Sequence, residues 1–246
     1  MTPDSLTLRD GRTVLRLERP LPHPPEKVWR ALTTPEHLER WFPSTVRLDL
    51  REGGEILFDD GDSRGVVTDL DPPRLFAFSW GDSDHLRWEV HPADGGSLLV
   101  LHHAFTDRYG AASFATGWSA CVEGLSQLLA GTDPAPTVDM TARHEEYVRE
   151  FALDAPEIEG DTVRVERQLT APADVARPLL GPAALSGGAV QWELVEGTGH
   201  GARLVAVATG PFDVPPAEAA AELRAKVQEI ATTLASTRPS PDAVAP

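Results

Sequence analysis

The residue types that could do chemistry in this chain are few, and their spacing limits what they can do. His102 and His103 are adjacent in an alternating apolar stretch. A period of two sends them to opposite faces of a strand, so they cannot chelate one metal together. His23, His37, His85, His91, His144 and His200 are scattered and make no HExxH-type arrangement, so no metal site is expected. The solitary Cys121 can form neither an internal disulfide nor a thiolate zinc site, and it reads as a small buried hydrophobe on a helix. His103 shares a face with Leu99 and Leu101 and is the one ionisable group expected to look inward. It is either a structural histidine bonded to a neighbouring backbone group or hydroxyl, or an acid/base group touching a ligand. No nucleophile with a base and no pair of carboxylates with separate roles is evident, so no cofactor is expected and His103 is the sole catalytic candidate.

The elements that must position these residues are legible from periodicity. Thr13 to Leu21 alternates Leu15, Leu17 and Leu21 with polar residues, as a half-buried strand does, and prolines end it. Pro25 suits the first turn of a helix through Val28, Trp29 and Leu32, and Thr34 before Pro35 starts a second short helix carrying Leu38, Trp41 and Phe42. From Val46 to Phe105, short apolar runs separated by EGGE, DDGD, DPPR, GDSD and ADGG predict an antiparallel meander. Asp59, Asp60, Asp62, Asp82 and Asp84 fall in those turns and read as solvated turn formers. Ala111 to Ala130 is a long amphipathic helix ending at Gly131; its Gly117 and Gly124 are read as sites of close packing against the sheet or as room left for a ligand.

The period of two puts Ile56 with Phe58, Phe76 with Phe78 and Trp80, Leu86 with Trp88, and Leu99, Leu101 and His103 with Phe105 on one side. Together with Trp41, Trp118 and Cys121, the set Phe58, Phe76, Phe78, Trp80, Trp88, Leu99, Leu101 and His103 is the expected lining of a cavity between sheet and helix. A planar apolar or aromatic small molecule is its expected occupant.

The second half echoes the first. TVRVERQL from Thr162 repeats Arg16, Glu18, Arg19 and Leu21 as Arg164, Glu166, Arg167 and Leu169, 148 residues later. VQWEL from Val190 echoes LRWEV from Leu86 only 104 residues later, so the second copy is shorter by about 44 residues and lacks partners for Trp41, Phe58, Phe78 and Trp80. The expected organisation is a complete domain at 1–131, a linker with a short helix at 132–160, a truncated α+β repeat at 161–237 that packs on the first domain, and a disordered tail at 238–246.

The segments PPEKVWRALTTPEHLERWF (Pro24 to Phe42), GVVTDLDPPRLFAFSW (Gly65 to Trp80), LRWEVHP (from Leu86) and GGSLLVLHHAF (from Gly95) carry a resemblance. The Gly53–Gly54 and Gly117–Trp118 pairs complete it. Residues 11–131 resemble the activator-of-heat-shock-protein-90-ATPase homologue family of the START-like (SRPBCC) superfamily. The resemblance implies an α+β helix-grip (Bet v 1-like) fold, a curved antiparallel sheet wrapped on a long C-terminal helix with a cavity between them. It implies no single chemistry: superfamily members bind lipids or polyketides, cyclise or dehydrate, or act as co-chaperones. A cofactor-free cyclase or dehydratase using His103, and a module acting on a heat-shock protein 90 homologue, are therefore the rivals to simple binding. The chain departs from the family pattern at Val100 and His102, and Ala104 follows His103 where a glycine is usual.

Bulk properties exclude other classes. A net charge of −16, with Lys27 and Lys226 the only lysines, disfavours nucleic acid and anionic membranes as partners. The first residues lack the basic and apolar regions of a signal peptide and no apolar run approaches membrane-spanning length, so the expected location is the cytoplasm.

Overall fold

The computed structural model describes residues 4–199 and 201–236. They divide into two compact units, the first running to Arg108 and including Ala115–Val138, the second comprising Tyr109–Phe114 and the residues from Asp139 onward.

In the first unit, β1 (Ser5–Arg9) and β2 (Arg12–Leu21) form a hairpin. Its two turn residues, Asp10 and Gly11, both have positive φ, which matches the right-handed twist of the strands. Leu15, Leu17 and Leu21 of β2 are buried, as their alternation requires. Helices α1 (Pro25–Thr33) and α2 (Pro35–Leu38) follow, each with proline in its first turn. The meander is β3 (Val46–Leu48), β4 (Glu55–Phe58), β5 (Ser63–Asp71), β6 (Leu75–Trp80), β7 (Asp84–Ala93) and β8 (Gly96–Phe105). The eight strands pair antiparallel in the order β1-β2-β8-β7-β6-β5-β4-β3, and β8 returns to pair with β2. The long helix α3 (Ala111–Leu129) ends the unit's core, giving an α+β helix-grip fold. On β5, Gly65 is needed for close approach: a Cβ there would stand 1.8 Å from the Ser79 carbonyl oxygen. The glycines of α3 are not needed in that way, because a Cβ on Gly117 would meet open space and one on Gly124 only ordinary contacts with Trp41 and Pro134.

The second unit contains α4 (Met140–Glu150), β9 (Glu157–Glu159), β10 (Thr162–Gln168), α5 (Ala173–Ala176), β11 (Ala183–Leu185), β12 (Gly188–Val195), β13 (Arg203–Thr209) and α6 (Pro216–Ser236). Its sheet runs β11-β12-β13-β10-β9. Counted from the other edge, a hairpin strand pairs with a long strand, the long strand pairs with the last strand, and the two strands before the last follow, as in β1-β2-β8-β7-β6. Val163, Val165, Leu204, Ala206 and Ala208 face Leu223, Val227 and Ala231 of α6 in the core. Helix α4, which the sequence places in the linker, groups with this unit.

The echoed residues perform the same task in both sheets. Arg16 bonds Glu18 within β2, and Arg164 bonds Glu166 within β10. Arg19 grips Asp4, just before β1, through two bonds of 2.7 and 2.8 Å; Arg167 bonds Asp154, just before β9, at 3.3 Å. Asp154 is only 1% exposed and also accepts from Arg224 (2.6 Å) and Gln228 (2.8 Å) of α6, while Arg167 bonds Glu145 of α4. This ion cluster ties α4, β10 and α6 together. Removing one member of a buried cluster strands the others, so Asp154→Ala should cost about 3–5 kcal/mol. Urea unfolding of the full chain measures it, and a loss under about 1 kcal/mol, the scale of an exposed pair, would show that the cluster adds little.

Candidate functional site

The site is built where α1, α2 and the turn after them fold over the inner face of the first sheet. Phe58 and Trp80 stack with centroids 4.4 Å apart, and Phe42 stacks on Trp80 at 5.4 Å. Trp88 meets Trp41 edge-on at 5.8 Å and Trp118 at 5.5 Å. Trp41 is fixed by its indole N–H, which donates to the Ala31 carbonyl at 2.9 Å. The rings therefore pack largely on one another.

What remains is a narrow apolar cavity of about 10 Å³, the room needed for a single water. It is lined by Leu32, Leu38, Trp41, Phe42, Val46, Leu48, Ile56, Phe58, Phe76, Phe78 and Trp88. Five residues expected from the sequence are brought together there: Trp41, Phe58, Phe76, Phe78 and Trp88. Trp80 and Trp118 touch the ring cluster from outside the cavity, and Leu99 and Leu101 are core residues. Cys121 lies elsewhere on α3, its thiol pushed up to about 11 by burial, which leaves it protonated and a poor nucleophile. Leu32, Leu38, Phe42, Val46 and Leu48 join the lining through a non-local fold-back that no local period signals, while Ile56 lies on the face of β4 that the period of two assigns to Phe58.

His103 is 2% exposed and borders no part of this cavity. The Trp118 indole N–H donates to its Nδ1 at 3.1 Å, which places the proton on Nε2, 3.0 Å from the Asp84 carboxylate. Both ring nitrogens are engaged. Asp84, read from sequence as a solvated turn former, is instead the partner of this histidine. Burial pushes its carboxyl up, but the hydrogen bond from His103, with help from Ser83 and Arg12, brings it below its ordinary value. On the opposite face His102 is held below the ordinary histidine range, first by burial and then by the charges of Arg16, Arg87 and Arg9, against the pull of Glu89. Among the described residues no group of three or more His, Cys, Asp or Glu side chains could hold a metal, and no helix is long and apolar enough to cross a membrane.

Strand order, long helix and aromatic interior together decide the relationship. The family model described as Activator of Hsp90 ATPase homolog 1-like protein matches residues 22–130. The match covers most of the first unit and none of the second, so residues 22–130 are similar to this family. Two solved structures are similar to the chain at the level of fold. EF2215 from Enterococcus faecalis, described as a conserved protein of unknown function, is 23% identical over 60% of this chain and 89% of its own, with a TM-score of 0.53. The solution structure of CalU16 from Micromonospora echinospora is 24% identical over 62% of this chain and 93% of its own, with a TM-score of 0.51. Comparison with curated proteins finds no match.

The Asp84–His103 bond gives the first unit a testable pH dependence. Because the Asp84 carboxyl is depressed in the folded chain, its contribution to stability is complete above the ordinary carboxylate value of about 4 and is lost as pH falls through the folded value. Asp84→Asn should therefore melt below the native chain at neutral pH, with the gap closing from about pH 4 downward. A gap that stays constant into strong acid would contradict the assignment.

Proposed function

We propose that the first unit is a binder of a small apolar, aromatic or polyketide-like molecule, admitted between the α2–β3 segment and the sheet. The observation that carries this reading is the wholly apolar lining of the cavity, with no acid, base or nucleophile aimed into it. With so little open volume, entry requires Phe42 and Trp41 to swing aside, which the irregular segment between α2 and β3 permits better than the sheet does. The engagement of both His103 nitrogens supports binding over a cyclase or dehydratase, since neither nitrogen is left to move a substrate proton.

We also read the second unit as an abbreviated copy of the first. The shared strand order and the recurrence of the Arg-Glu and Arg-Asp pairs in corresponding strands support a duplication that has lost β3 to β5. The acidic composition and single cysteine favour the cytoplasm as the place of action. A co-chaperone role is the rival that the family description itself suggests, and stimulation of an Hsp90-type ATPase by the full chain would favour it.

The binding reading is tested by native mass spectrometry and dye displacement with neutral polyketide-like and acyl ligands. Phe78→Ala should open a cavity that takes up a small neutral aromatic such as indole at least about tenfold more tightly than the native chain. Uptake by neither the native chain nor the enlarged variant would sink the proposal.

A further inference from the structure

The inner face of the second sheet is covered differently from the first. In the first unit β5, β4 and β3 follow β6, and Ile56 and Phe58 close the interior near Trp88, which is 1% exposed. In the second, β11 is three residues long and forms the edge, with no strand beyond it among the described residues. Trp192 occupies in VQWEL the place of Trp88 in LRWEV, yet it is only partly buried. It lines an open groove of about 280 Å³ between β12, the segment from Leu179 to Pro182, and α6. Leu179, Pro182, Trp192 and Ile230 make apolar walls, and Lys226 and Glu229 stand on α6 at the same groove.

Two features select an occupant. The Trp192 indole N–H is committed to the Gly181 carbonyl at 3.0 Å, so the ring is fixed and offers apolar surface rather than a donor. Lys226 is half-buried and has no hydrogen-bond or ion-pair partner among the described residues. The other lysine, Lys27, is committed to the Leu129 carbonyl at 2.6 Å. Glu229 is more exposed than Lys226, so water and salt screen its charge more strongly.

We propose that this groove binds a small aromatic monoanion, its ring against Trp192 and Ile230 and its carboxylate or sulfonate paired with Lys226. The volume lies near the lower end of small-molecule sites, about 300 Å³. The site is separate from the cavity of the first unit and does not rest on the binding proposed there.

The test is fluorescence titration of the full chain with 8-anilinonaphthalene-1-sulfonate, an aromatic monosulfonate. Saturable binding is expected, weakened by salt. Lys226→Met, which keeps the apolar stem, should weaken it about tenfold, as loss of one charge-assisted contact does, while Lys226→Arg retains it. Trp192→Ala should weaken it about as much, and Glu229→Gln should tighten it. Because Lys226 and Trp192 lie on the surface of the groove, circular dichroism should show both variants folded. Neutral-ligand uptake by the first unit should be unchanged in them, so the two proposals fail separately. Absence of saturable binding, or binding that Lys226→Met and Trp192→Ala leave intact, would overturn the assignment.

Discussion

The edge-on contact of Trp88 with Trp41 and Trp118 is the interaction on which the first unit depends. These three rings come from the turn after α2, from β7 and from α3, so one cluster joins three elements distant in sequence. Each such ring pair adds about 0.5–1.5 kcal/mol beyond the burial of its surface. The same packing decides where polar groups go. With aromatic rings filling the interior, the indole N–H of Trp118 and both nitrogens of His103 must find partners among themselves and Asp84, because an unsatisfied buried donor is costly. The histidine that the sequence offers as a catalyst is thereby held between Trp118 and Asp84 at the margin of the ring cluster.

The second unit meets the same requirement with less material. Alanines at 206, 208, 219, 220 and 231 make a core of small side chains between sheet and helix, and the buried Asp154 cluster fixes α4, β10 and α6 by charge. What it lacks are the strands that would close the face of β12. The residue that is sealed in the first unit is therefore left on the wall of a groove in the second.

Much of this was legible in the sequence. The alternation of Leu15, Leu17 and Leu21, the prolines opening α1 and α2, and the period-two aromatic face of β6 to β8 follow from local geometry, and the structure places them as read. The short strands were not legible. In β1 Leu8 is 71% exposed and in β9 every residue is exposed, so neither carries the burial pattern that marks a strand, although Asp10–Gly11 is a strong hairpin signal. The partnership of Asp84 with His103 depends on the register of β7 against β8, and the lining by Leu32, Leu38 and Phe42 depends on how α1 and α2 fold back. Spacing along the chain reports neither.

The central claim is that Trp88 is sealed in the first unit while Trp192, its counterpart in the sequence echo, is open in the second. Hydroxyl-radical footprinting of the unmodified full chain, read by mass spectrometry residue by residue, tests it without any substitution. Trp192 should oxidise at least about tenfold faster than Trp88, since labelling follows access to solvent and Trp88 reacts only when the unit opens. Equal rates at the two positions, or faster labelling of Trp88, would contradict the account.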